Sequence, residues 1–135
     1  MLADQVKHAA LLEVLGSSTG SGALWAFETD DLDCSLVNWN SGEGVVDHVN
    51  SEVDVLIIVL QGDGTLTVDG SQFALAPSFT ALIPKGATRS IASGSRGLAY
   101  ASIHKRRKRL MPTDPATRMP QQTNLRNPAK PTTSP

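Results

Sequence analysis

Aromatic side chains are scarce in this 135-residue chain. Phe, Trp and Tyr together make up 4% of it, whereas hydrophobic residues of all kinds make up 40%. A hydrophobic core must therefore be built mainly from Val, Leu, Ile and Ala. The length is enough for one core of ordinary size and too short for two typical domains. We therefore expect one domain.

Cysteine and long apolar runs are also scarce. The single cysteine, Cys34, cannot form an internal disulfide and fits a reducing cytoplasm. The longest apolar run covers residues 55–60, which is too short for a transmembrane helix of about 20 residues. The N-terminal residues do not resemble a signal peptide, because an acid at Asp4 takes the place of a cationic start. We predict a cytoplasmic protein in which Cys34 is a half-buried core residue rather than a reactive thiol.

The formal net charge of −1 conceals two segments of opposite charge. Residues 105–135 carry eight Lys and Arg against one Asp, whereas residues 1–104 carry a net charge of −8. The proline-rich part of the basic segment has few large apolar residues, a composition typical of disorder. We predict an N-terminal helix and linker over 1–22, a folded domain over 23–104, and a disordered basic tail over 105–135.

Turn residues divide the central part into short strands. Before it, Val6, Leu12 and Leu15 lie at helical spacing and predict a short helix that ends at Gly16. Asp69-Gly70 predicts a hairpin, and residues 62–64 predict another turn. Short strands at this regular spacing are typical of a sandwich or a closed barrel. The predicted strands cover residues 24–29, 34–39, 45–49, 55–60, 65–68, 72–75, 80–83, 90–92 and 98–104.

Two blocks, residues 42–64 and 78–89, resemble the sequence motifs of the cupin superfamily. In both blocks, the residues that shape turns stand at the family's spacing. The resemblance covers residues 23–104 and implies an all-β double-stranded β-helix, or jelly-roll barrel. It also implies a homodimer. The matching turn residues are Gly42, Gly62, Gly64, Asp69, Gly70, Pro84 and Gly86.

The metal-binding positions of these motifs match poorly. The family usually has three histidines and one glutamate, and the corresponding residues here are His48, Asn50, Val55 and Arg89. Valine supplies no donor atom, and the permanent positive charge of arginine repels a metal cation. The resemblance therefore implies a barrel that has lost its usual metal site, and we expect no cofactor.

Polar residues remain around the lost metal-binding positions, at one open end of the predicted barrel, which we call its mouth. If the strand continues far enough, His48, Asn50 and Glu52 point the same way. Arg89 could then clamp an anion, with His48 as a hydrogen-bond partner or proton carrier. The alternative is a solvated rim in which Arg89 is held by a carboxylate. The predicted ligand-binding residues are His48, Asn50, Glu52, Asp54, Lys85 and Arg89.

The leading hypothesis is a small protein that binds an anionic molecule in the barrel without a metal. An enzyme is the second hypothesis. It would use either acid–base catalysis by His48 and a carboxylate, or a rebuilt divalent-metal site of His48, Asp54 and His104 in a dioxygenase or isomerase. In the third hypothesis, basic residues 105–109 contact nucleic acid or an anionic membrane surface. Whether the protein is an enzyme stays open at this point.

Overall fold

The structure is a computed structural model, and it describes residues 5–106. It contains one short helix and seven strands. Among these residues, no helix has the length and apolarity needed to cross a membrane. The elements are α1 (Leu11–Ser17), β1 (Gly22–Glu28), β2 (Leu32–Trp39), β3 (Gly44–Val49), β4 (Val55–Val68), β5 (Ser71–Leu75), β6 (Thr80–Ile83) and β7 (Thr88–Lys105).

Two long strands organise the barrel. The first half of β4 pairs with the second half of β7, and β2 and β6 extend this half of the sheet. The second half of β4 pairs with the first half of β7, and β3 and β5 extend that half. All these pairs are antiparallel, and β1 adds to β2 at one edge. The chain therefore has the predicted all-β jelly-roll architecture.

The core is aliphatic, as the composition indicates. Val55, Ile57 and Val59 alternate along β4 and are each 3% exposed or less. Such alternation places every second side chain on the inner face of the barrel. Trp39 and Tyr100 are the aromatic residues of the buried cluster.

The turn predicted at residues 62–64 is wrong. Strand β4 continues through these residues, and its pairing with β7 shifts register on either side of Gly62. Gly62 has a φ of 85°, and a Cβ atom there would overlap the carbonyl oxygen of Gly97. The glycine therefore permits a bulge and a close approach of two backbones rather than a change of direction.

Two other predictions differ from the structure by more than two residues. Residues 90–92 and 98–104 belong to the single strand β7, because β4 pairs with both parts. Helix α1 begins only at Leu11 and runs past Gly16, and none of its residues is buried. Most of the stability of a protein helix comes from packing a buried face. Because this helix has no buried residue, packing does little to stabilise a longer helix that starts nearer the N-terminus. The hairpin at Asp69-Gly70 is confirmed, since Val68 pairs with Ser71 and both turn residues have positive φ.

Candidate functional site

A histidine and an arginine form a cross-strand pair on the barrel. His48 on β3 lies opposite Arg89 on β7, and the Arg89 Nε–H donates to His48 Nε2 over 3.2 Å. The other ring nitrogen, His48 Nδ1, lies 3.0 Å from the carbonyl oxygen of Val46. Because Nε2 accepts, the proton of the neutral ring belongs on Nδ1, which donates to Val46. The two bonds therefore fix both the ring orientation and the tautomer.

Arg89 belongs to the inner face of the barrel. It lies opposite Val68 of β4, which packs against the core, and two residues before the buried Ile91 on the same strand. Side chains two apart on a strand share a face. Arg89 and His48 are both half-buried, and the positive charge of Arg89 acts on the Tyr100 hydroxyl, where it favours ionisation. The arginine thus brings a cation to the barrel interior.

Tyr100 and Trp39 form a buried polar pair in this interior. The Trp39 Nε1–H donates to Tyr100 Oη over 3.1 Å, and Tyr100 is 4% exposed. Burial raises the pKa of Tyr100 to about 12, while the Trp39 hydrogen bond and the charge of Arg89 act in the opposite direction. The phenol is consequently neutral at physiological pH. Sequence reasoning missed both residues, although Tyr100 is the chain's single tyrosine and lies within a predicted strand.

Asn50 shapes a turn instead of continuing the strand. β3 ends at Val49, and Asn50 Oδ1 accepts hydrogen bonds from the backbone N–H groups of Glu52 at 2.9 Å and Val53 at 3.3 Å. Its carbonyl oxygen also accepts from Gly86 N–H at 2.8 Å. The strand therefore does not continue to Asn50 and Glu52, so the condition for a shared direction with His48 is not met, because the asparagine side chain stabilises a turn. Its Nδ2 is buried and has no hydrogen-bond partner among the described residues.

Three of the predicted ligand-binding residues border a groove whose lining does not include His48 or Arg89. Glu52, Asp54 and Lys85 are exposed and border an open groove of about 360 Å³ at the ends of β2, β4, β6 and β7. Asp54 Oδ1 accepts from the backbone N–H of Lys85 at 2.9 Å and so ties the start of β4 to the loop after β6. The groove is also lined by Leu32, Val53, Leu56, Leu82, Ile103, His104 and Lys105.

The structure does not form the alternative metal site. His104 lines the groove with Asp54, whereas His48 belongs to the pair with Arg89. His104 Nδ1 lies 2.8 Å from the Lys105 carbonyl oxygen and 4.0 Å from Asp33 Oδ2. Within residues 5–106, no group of three or more His, Cys, Asp or Glu side chains could hold a metal ion.

The usual cupin ligand positions do not fit a metal either. The His48 Nε2 lone pair is occupied by Arg89, and the oxygen of Asn50 is occupied by two backbone amides. Val55 has no donor atom. A guanidinium at Arg89 places a positive charge beside the histidine that would be a ligand. The residues present suit an anion better than a cation.

The basic run begins inside the described part of the chain. The backbone N–H of Arg106 donates to the Asp31 carbonyl at 2.8 Å, and its guanidinium donates to the Thr29 carbonyl at 3.1 Å. The same guanidinium lies 3.6 Å from Glu28 Oε1. Arg106 thus contacts the acidic segment formed by residues 1–104. Lys105, the first residue of the predicted tail, still belongs to β7. Residues 107–135, which include the rest of the run and of the predicted tail, lie outside the described residues.

Similarity to known proteins is found at the level of structure. No family model and no curated protein sequence matches the chain. A cupin protein from Bacteroides fragilis has a TM-score of 0.55 and 19% identity, with 78% of this chain and 94% of that chain covered. A cupin superfamily protein from Desulfitobacterium hafniense has a TM-score of 0.55 and 24% identity, with 77% and 86% covered.

A third similar structure, KdgF from a Halomonas species, has a TM-score of 0.57 and 18% identity, with 61% of this chain and 74% of that chain covered. At such identities the similarity concerns the backbone and not the chemistry of the site. It agrees with the motif resemblance and with the strand order. The chain has the cupin fold.

Proposed function

We propose that this protein binds a small anionic molecule in the mouth of its barrel, with Arg89 as the group that holds the anion and without a metal. The observation that carries the proposal is the pairing of Arg89 with His48 on the inner face. A guanidinium is a planar set of five N–H donors that matches a carboxylate or phosphate. The His48 bond to Nε orients that plane.

Asn50 supplies a second argument for an anionic ligand. Its buried Nδ2 has no acceptor among the described residues, and Asn50 directly follows β3, the strand that carries His48. A buried donor without a partner costs about 1–3 kcal/mol. A ligand oxygen at this point would remove the cost. The same amide would disfavour a bound cation, because an N–H group cannot coordinate a metal ion.

The proposal is tested by titrating the protein with small anions. The probes are propionate, pyruvate and inorganic phosphate. Their binding is measured by calorimetry or by changes in amide chemical shifts. Methyl pyruvate, which has no charge, is the control ligand. Arg89→Gln removes the proposed clamp, and Arg96→Gln is the matched control because Arg96 lies on the same strand with a side chain that is 79% exposed.

We expect at least one probe to bind, and Arg89→Gln to weaken that binding roughly tenfold or more, since a charge-assisted hydrogen bond contributes about 1.5–3 kcal/mol. Arg96→Gln should leave it unchanged. If no probe binds to the natural chain, or if the two arginine variants weaken binding equally, the proposal is wrong.

We further propose that the groove is the contact between two copies of the chain. Leu82 and Leu32 are 64% and 54% exposed and lie in this groove. Its border carries Glu52 and Asp54 together with Lys85 and Lys105. A two-fold axis brings each surface against its own copy, so acids of one copy can face lysines of the other.

Sedimentation velocity tests the dimer. Leu82→Glu should shift the chain toward monomer, because it places a charge in the centre of the apolar contact. Val46→Glu is the control, since Val46 is 53% exposed on β3, outside the groove. A natural chain that sediments as a monomer at all concentrations would refute the contact.

A further inference from the structure

The Tyr100 hydroxyl has a proton whose direction can be deduced. The indole N–H of Trp39 is a donor and has no acceptor capacity, so the Tyr100 oxygen must accept in the bond between them. The phenol proton then points away from Trp39. Within residues 5–106 the structure gives this proton no acceptor, although Tyr100 is buried. A buried hydroxyl whose proton has no acceptor loses part of its hydrogen-bonding capacity on folding.

Tyr100 shares the barrel interior with Arg89. On β7, Tyr100 lies opposite Val59 of β4, which belongs to the core, and opposite Val37 of β2, which packs against it. The charge of Arg89 acts on the hydroxyl, so the guanidinium lies within electrostatic range of it. A neutral donor and a cationic donor thus both belong to the inner face of the barrel.

We infer that the Tyr100 hydroxyl donates its proton to the anion held by Arg89, and that this bond selects carboxylates with a second oxygen acceptor beside the carboxylate. The inference rests on the proposed function. The simplest such ligands are 2-oxo acids, whose carboxylate would pair with Arg89 and whose keto oxygen would accept from Tyr100. Trp39 is a positioning residue, because its bond to Oη directs the phenol proton.

The ionisation of Tyr100 suits this role. Burial holds its pKa near 12, so the hydroxyl keeps its proton over the whole physiological range. A buried donor also discriminates strongly by chemistry, because a ligand that lacks the acceptor leaves the donor unsatisfied. Discrimination at this position therefore tests whether the hydroxyl faces the ligand.

The experiment compares pyruvate with propionate, which share the carboxylate and differ in the keto oxygen. Dissociation constants are measured for the natural chain and for Tyr100→Phe. We expect the natural chain to favour pyruvate about three- to tenfold, the usual net effect of one neutral hydrogen bond. Tyr100→Phe should bind both acids with similar affinity and retain its affinity for propionate.

The outcomes separate this inference from the proposed function. If neither acid binds in an Arg89-dependent manner, the proposed function fails and this inference fails with it. If both acids bind through Arg89 but Tyr100→Phe keeps the same preference as the natural chain, only the role of Tyr100 is overturned. A purely structural role for the hydroxyl would weaken both acids equally.

A second measurement does not depend on the folding of the variant. The chain has one tyrosine, so incorporation of 3-fluorotyrosine gives one fluorine resonance for the folded protein. Saturating pyruvate should shift this resonance, and saturating propionate should shift it less. Equal shifts with the two acids would contradict the contact.

Discussion

Trp39 and Tyr100 connect β2 to β7 through a buried hydrogen bond between residues 61 positions apart in the chain. The indole donates and the phenol accepts, and both side chains are at most 6% exposed. The phenol has lost its hydration, and burial raises its pKa from 10.0 to about 12. This difference between the folded and unfolded chains links the ionisation of one residue to the stability of the barrel.

The first prediction concerns alkaline pH. A phenol with a raised pKa in the folded state favours folding as long as it is neutral in both states, below about pH 10. Between about pH 10 and 12 the unfolded phenol ionises first, so stability falls as pH rises. We expect the natural chain to lose about 1.4 kcal/mol by this route between pH 9 and 11.

Urea unfolding of the natural chain and of Tyr100→Phe measures this loss. At pH 9 the variant should be less stable by about 1–3 kcal/mol, because Trp39 keeps a buried N–H without an acceptor. At pH 11 the gap should be narrower, since phenylalanine does not ionise. A gap that is constant from pH 9 to 11 would contradict the link, and tyrosinate absorbance at 295 nm reports the ionisation of this single residue.

The second prediction concerns the close approach of β4 and β7. Gly62→Ala should destabilise the protein by several kcal/mol, because the new Cβ would overlap the Gly97 carbonyl at a positive φ. Gly70→Ala is the matched control, with a φ of 86° and open space around the position. It should cost only about 1–2 kcal/mol, the price of the left-handed conformation. Equal losses in urea unfolding would show that the backbone contact is unimportant.

These glycines also show where sequence reasoning reaches its limit. The motif spacing correctly predicted the barrel and the Asp69-Gly70 hairpin, because both depend on local turn chemistry. It could not distinguish a turn from a bulge at Gly62, because the atom that demands a glycine there belongs to Gly97. That contact is made only when β4 and β7 pair.

The candidate site also has features that the local sequence predicts and features that depend on contacts in the folded chain. The cross-strand pairing of His48 with Arg89 agrees with the positions of these residues in the two motifs. The direction of Glu52, however, depends on the turn that the Asn50 side chain forms, and parity along an assumed strand cannot reveal it. Tyr100 escaped notice because its importance comes from burial beside Trp39, which the sequence does not display.

The third prediction concerns Cys34. It is half-buried, and burial raises the pKa of its thiol, so less thiolate is present at neutral pH. Since thiolate is the reactive form, we expect alkylation by iodoacetamide at pH 7.5 to be slower in the folded chain than in urea. The chain has one cysteine, so mass spectrometry follows one site. Equal rates would indicate an exposed and reactive thiol.

The last prediction concerns the turn after β3. Asn50 Oδ1 accepts from two backbone N–H groups, and Asn50→Ala leaves both without this partner. We expect a loss of about 1–2 kcal/mol in urea unfolding, the usual cost of removing a side-chain acceptor from backbone amides. Asn50→Ser should lose clearly less, because a serine hydroxyl can accept from the backbone in the same kind of turn, although more weakly.

The serine variant separates the two roles of the asparagine. It retains an acceptor for the turn but removes the buried Nδ2 donor proposed to meet the ligand. It should therefore keep most of the stability while it weakens the binding of anions that depend on Arg89. If serine and alanine destabilise the chain equally, the oxygen does not stabilise the turn. If serine leaves anion binding intact, the amide does not contact the ligand.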